Sequence, residues 1–187
     1  MLRRWLRLCL MSLVMAGGGA SSNDEFSIRR AVLYPSGSHY ALDADITYDF
    51  SATAIEALEN SVPLTIVLQC KIERERSYLW NQTVIDYRRR MQVRYHPLGQ
   101  LYQMTSEDRE ASQRYASLRS LLTALGTIRG LPIVPEDRIE AGETYRAGLS
   151  VWLDIESLPL PLRPAAYLSS SWYLSSATFQ WSFERSE

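Results

Sequence analysis

The 187-residue chain predicts an all-β fold, an antiparallel β-sandwich of about seven strands with two short helices. Three observations lead there. Apolar and polar residues alternate in seven separate stretches, the period of a strand with one buried face. Only two stretches carry helical spacing. No strand–helix–strand rhythm recurs, so a parallel sheet built from crossovers is not expected. Composition agrees: 46% hydrophobic and 22% charged is too rich in core material for a disordered chain. Alternation by itself does not separate a sandwich from a closed barrel.

The N-terminus has its own logic. Arg3, Arg4 and Arg7 precede an apolar run from Leu8 to Ala16, and small residues including Gly18 and Ala20 follow. That is the layout of a secretory signal peptide, here residues 1–20, with a single domain over 24–187. The run is shorter than the roughly 20 residues of a comfortable membrane span, and no later stretch approaches that length. A retained anchor or a misplaced start is the alternative. Cys9 lies inside the run rather than behind it, which argues against lipid attachment. Of 20 basic residues, three lie in the leader, so the remainder carries 17 basic against 21 acidic, a formal charge of −4. That balance argues against a nucleic-acid partner. It also leaves Cys70 without a partner for a disulfide, and the expected compartment is the periplasm.

The elements follow in order. Phe26 to Tyr34 alternates, with Phe26, Ile28, Val32 and Tyr34 on one face. Pro35-Ser36-Gly37-Ser38 has turn composition and joins it in a hairpin to His39–Phe50. There Tyr40, Leu42, Ala44, Ile46, Tyr48 and Phe50 point inward. Ser51 to Asn60 is helical, capped by Ser51 or Thr53. In the next strand Leu64, Ile66, Leu68, Cys70 and Ile72 face the core, while Thr65, Gln69, Lys71 and Glu73 face out. Thr83 to Tyr95 is a long strand with Ile85, Tyr87, Met91, Val93 and Tyr95 on one face, joined there by Arg89. Leu98 to Thr105 is shorter. Ser106 to Arg114 reads as an exposed loop or helix start. Tyr115, Leu118, Leu121, Leu122 and Leu125 define an amphipathic helix, with Gly126 after its last turn. Gly130 to Gly142, with Pro132 and Pro135, reads as loop. Glu143 to Glu156 is a strand with Tyr145, Ala147, Leu149, Val151, Leu153 and Ile155 inward. Leu158 to Pro164 is expected to run extended, polyproline-like. Trp172 to Phe183 closes the fold with Tyr173, Phe179, Trp181 and Phe183 on one side.

Chemistry-bearing residues are sparse. Asp43, Asp45 and Asp49 share a strand face, but no glycine-containing ligand loop completes a calcium site. Arg88, Arg90 and Arg94 share another face, suited to an acidic partner or to cross-strand pairing with the Asp row. His39 and His96 have no ligand spacing. Cys70 reads as a small core residue. Ser169-Ser170-Ser171 lacks the glycine-flanked elbow of a hydrolase nucleophile. Asn81-Gln82-Thr83 fits a glycosylation sequon, relevant only in a eukaryotic secretory route. Pro161-Leu162-Arg163-Pro164 fits a proline-recognition core, yet an exported chain makes a rigid crossing the better reading. Trp80, Trp152 and Trp172 are candidate contact aromatics, Trp152 because it lies opposite the inward row of its strand. No catalytic, cofactor-binding or metal-binding residue is nominated.

Three segments resemble a known family: EALENSVPLTIVL at 56–68, VRYHPL at 93–98, and LDIESLPLPLRPAAYLS at 153–169 followed by Trp172 and Leu174-Ser175-Ser176. They resemble the proteobacterial domain of unknown function 4390. The resemblance spans nearly all of the chain after the leader. It implies an export signal and a β-rich body, and it brings no catalytic residues. Because genes of that family lie near a sensor histidine kinase, it also implies an accessory role in the envelope. The expected function is a periplasmic binding module whose partner is an envelope protein or a membrane-bound sensor kinase, acting without a cofactor and not as an enzyme. The alternatives are an envelope hydrolase or transferase with a carboxylate-based site, and an apolar-ligand carrier.

Overall fold

In the computed structural model, which describes residues 26–76 and 80–185, nine strands form two antiparallel sheets. They are β1 (Phe26–Ser36), β2 (His39–Tyr48), β3 (Leu64–Arg74), β4 (Gln82–His96), β5 (Leu101–Ser106), β6 (Arg109–Tyr115), β7 (Thr127–Pro135), β8 (Thr144–Leu153) and β9 (Phe179–Glu184). Helices α1 (Ala52–Glu59), α2 (Leu118–Gly126) and α3 (Arg163–Leu168) lie between them. The smaller sheet has the order β1-β2-β7, the larger β6-β5-β4-β3-β8-β9. The expected export segment lies outside the described residues.

The alternating rows become the core. Leu64, Ile66, Leu68, Cys70 and Ile72 of β3 are buried, as are Tyr40, Leu42, Ala44, Ile46 and Tyr48 of β2. Tyr145, Ala147, Leu149, Val151 and Leu153 of β8 join the same cluster. Two sheets with free edges thus close over one filled interior, a sandwich rather than a barrel. Ser51 caps α1, its Oγ accepting from the Ala54 N–H at 3.1 Å, and Ser117 caps α2.

Several expectations are corrected. In β1 the pairing steps from Ile28 opposite Ile46 to Arg30 opposite Asp45, so Arg29 is an extra residue. That bulge flips the alternation. Leu33 therefore enters the core in place of Val32 and Tyr34. Residues 106–114 are not loop or helix. β6 pairs with β5 from Tyr102 opposite Tyr115 to Ser106 opposite Arg109. As the outermost strand it needs no apolar row, which removes the sequence signal. The stretch after Gly130 is not loop either, since β7 pairs with β2 through Pro135. Its prolines are tolerated because β7 is an edge strand with a free side. These two strands raise seven to nine. Gly126 is the last helical residue of α2 rather than a residue beyond it. Leu158–Pro164 is not extended but coils through a 3-10 turn at 160–162 into α3, a third helix. Thr65 is buried beneath this region instead of facing water.

Candidate functional site

β3 starts, β4 ends, β5 starts and β8 ends at one pole of the larger sheet, following their antiparallel registers. From that pole the chain leaves the sheet after Leu153 and rejoins it at Leu174. The two ends are clamped together: Leu153 N–H donates to Leu174 O at 2.8 Å, and Ser176 N–H donates to Val151 O at 2.9 Å. The excursion between them is folded. Asp154 caps its first turn by accepting from Ser157 Oγ at 2.6 Å and from the Glu156 N–H at 3.2 Å. The Asp154 N–H donates to Thr65 O at 2.8 Å, which holds the excursion over the outer face of β3. Arg163 Nε donates to Leu158 O, Tyr173 Oη to Tyr167 O, and Ser51 Oγ to Ser171 O. Leu158, Ala166, Trp172 and Leu174 are its buried anchors.

What the excursion leaves outside is apolar. Leu160, Tyr167, Leu168 and Tyr173 are exposed, Leu168 at 90%. Leu98, in the β4–β5 turn at the same pole, is fully exposed. Among the described residues only one other large hydrophobic is exposed, Trp80, and it sits at the opposite pole between β3 and β4. Scattered exposed apolar residues are ordinary; concentration at one pole is not.

The Arg row borders this surface. Arg88 lies 3.3 Å from Asp86 on its own strand, and Arg90 lies 3.7 Å from Asp154. Arg94 has no ion pair among the described residues. Arg88 and Arg90 line a groove of about 420 Å³ with Val67, Trp152, Ile155 and Tyr173. A second groove, about 560 Å³, runs from Arg90 past Gln92 and Glu156 to Arg163. Of the three tryptophans noted in the sequence, Trp152 therefore faces a groove, Trp172 is core, and Trp80 is exposed far from both.

The Asp row lies elsewhere, on the smaller sheet. Asp43 accepts from Tyr34 Oη at 3.1 Å and from the Gly130 N–H at 2.8 Å, and Asp45 pairs with Arg129. The bond to Asp43 holds the Tyr34 phenol above its ordinary pKa. The Asp and Arg rows therefore do not neutralise each other. Among the described residues no three His, Cys, Asp or Glu side chains come together to hold a metal. His39 begins β2 and His96 ends β4, in different sheets. Cys70 is buried, and burial pushes its thiol up to about 12, which leaves it protonated and unreactive. Ser169 and Ser171 hydrogen-bond each other at 2.7 Å. Asn81 is exposed in the β3–β4 connection. The sequence reading missed the excursion's outer face, because Leu160, Tyr167 and Leu168 follow no periodic pattern and their exposure depends on which neighbours fold inward.

Fold and surface together define an antiparallel all-β sandwich bearing a folded excursion at one pole, with grooves lined by both arginines and carboxylates beside its exposed apolar side chains. Among the described residues no helix is long and apolar enough to cross a membrane. The chain belongs to the family described as Domain of unknown function (DUF4390), whose model matches residues 23–182. No curated protein and no solved structure matches it.

Proposed function

We propose that the protein is exported through residues 1–20 and acts in the periplasm as a binding module that grips an envelope protein by the 154–173 excursion. The observation that supports this reading is the gathering of Leu98, Leu160, Leu168, Tyr167 and Tyr173 at one pole. Aromatic anchors beside arginine are the chemistry that dominates protein interfaces, where a few such residues carry most of the binding energy. Arg88 and Arg90 border the cluster and suit a partner with acidic side chains flanking an apolar segment. The partner proposed is an envelope protein such as a membrane-bound sensor kinase.

A photo-reactive residue placed at Leu168 or Tyr173 in cells tests the reading, with the same residue at Trp80 as the far-pole control. A discrete adduct from the first two positions and none from the third is expected. Arg88→Ala with Arg90→Ala should weaken that adduct at least tenfold, while Arg114→Ala leaves it intact. No adduct, or equal adducts from both poles, would sink the proposal. Export is checked separately, by fractionation and by the mass of the recovered chain.

A further inference from the structure

We infer that a second site, on the inner side of β4, binds the carboxylate of an amphiphilic small molecule with Arg89 as its anchor. It is independent of the excursion, since Arg89 points inward where Arg88 and Arg90 point out.

The alternation of β4 sets Arg89 in the row of Tyr87, Met91 and Val93, a row that otherwise faces the core. Its side chain is only 10% exposed. A guanidinium has five N–H donors in a planar fork, and burying it is costly unless they are used. Here they are used sparingly. Nε lies 3.1 Å from Asp108 Oδ1 without hydrogen-bond alignment, and Nη2 donates to Ser106 Oγ at 3.3 Å. Nη1 has no partner among the described residues. Asp108 stands in the β5–β6 turn and is 40% exposed, so the carboxylate end of the ion pair is open to water while the guanidinium end is buried.

Arg89 forms one wall of a cleft of about 550 Å³ between β7 and the strands β4, β5 and β6. That is within the range of small-molecule sites. Met91, Met104, Leu125, Ile128 and Leu131 supply apolar wall. The two methionines suit a variable chain because their side chains re-pack easily. Opposite lies Gly130, in the left-handed region at φ 61°, where an added Cβ would find only Tyr34 Oη within 4 Å, at 3.9 Å. The other cation on the cleft, Arg129, is already occupied by Ala44 O, Ile128 O and Asp45. A half-satisfied cationic fork in a cleft that also carries Ser106, Asp108, Gln113 and Thr127, with the methionines and leucines supplying only part of its lining, suits a planar anion on a short hydrocarbon body. A carboxylate matches the fork's geometry.

The test is calorimetric titration of the protein, as isolated from cells, with decanoate and with decanol below their aggregation concentrations. Decanoate is expected to bind at one site at least tenfold tighter than decanol. Arg89→Met should remove that difference and leave decanol binding unchanged. Asp108→Asn, which takes away the competing carboxylate, should tighten decanoate several-fold, and it decides the matter if the Arg89 variant fails to fold. Equal affinity for acid and alcohol, no binding of decanoate, or weaker binding by Asp108→Asn would each overturn the inference. None of these results depends on the excursion's partner.

Discussion

Gly126→Ala sets local helix propensity directly against tertiary packing. Gly126 closes α2, and in an isolated helix alanine is better than glycine by about 1 kcal/mol. In the folded protein a Cβ at 126 would sit 2.0 Å from the Ile46 carbonyl oxygen and 3.1 Å from its carbon. The obstacle is the backbone of β2, the central strand of its sheet, and it has no rotamer to change. The helix must withdraw by about 1 Å or more before ordinary contact is restored. It would carry Leu121 and Leu125 partly out of the core. Overpacking of this kind costs about 3 kcal/mol when the neighbour cannot yield, so after the propensity gain a net loss of about 2 kcal/mol is expected. Urea unfolding, followed by tryptophan fluorescence, measures it. Gly37→Ala is the comparison: φ is 64° and nothing lies within 4 Å, so only the left-handed strain of about 1–2 kcal/mol applies. A Gly126→Ala protein as stable as the parent, or more so, would refute the close approach of α2 to β2.

Two further outcomes are expected. Ser51→Ala should lower stability by about 1–2 kcal/mol and speed amide exchange across the excursion, because the same Oγ caps α1 and donates to Ser171 O at 2.7 Å; unchanged exchange there would show that the excursion is held without α1. Burial raises the folded pKa of Cys70 to about 12 and also raises that of Tyr48. Both are neutral acids held above their unfolded values, so their contribution is complete below about pH 9 and is lost as pH climbs toward 12, by about 1.4 kcal/mol per pH unit for each proton. The urea midpoint should fall steadily over that window, Cys70→Ala should flatten its first part, and a midpoint constant from pH 8 to 11 would contradict the burial.

The strands that sequence alone determined are those with one dry and one wet face. In β2, β4, β8 and the second half of β3 the periodicity of two is imposed by that asymmetry, so it is written in the order of residues and survives reading without a structure. Ser51 and Ser117 work by local bonds, and the cap at Ser51 was likewise visible. Tertiary structure decided what depends on distant neighbours. β6 is an edge strand and needs no apolar row, and β7 keeps Pro132 and Pro135 only because one side of it is free. The bulge at Arg29 is a mismatch between two strands and belongs to neither alone. The fate of the charged rows was decided the same way: Asp45 meets Arg129, 84 positions away in sequence, while the Arg row lies on the other sheet. Exposure of Leu168 and burial of Arg89 are properties of what packs against them, and that is set by the closing of the two sheets over one core.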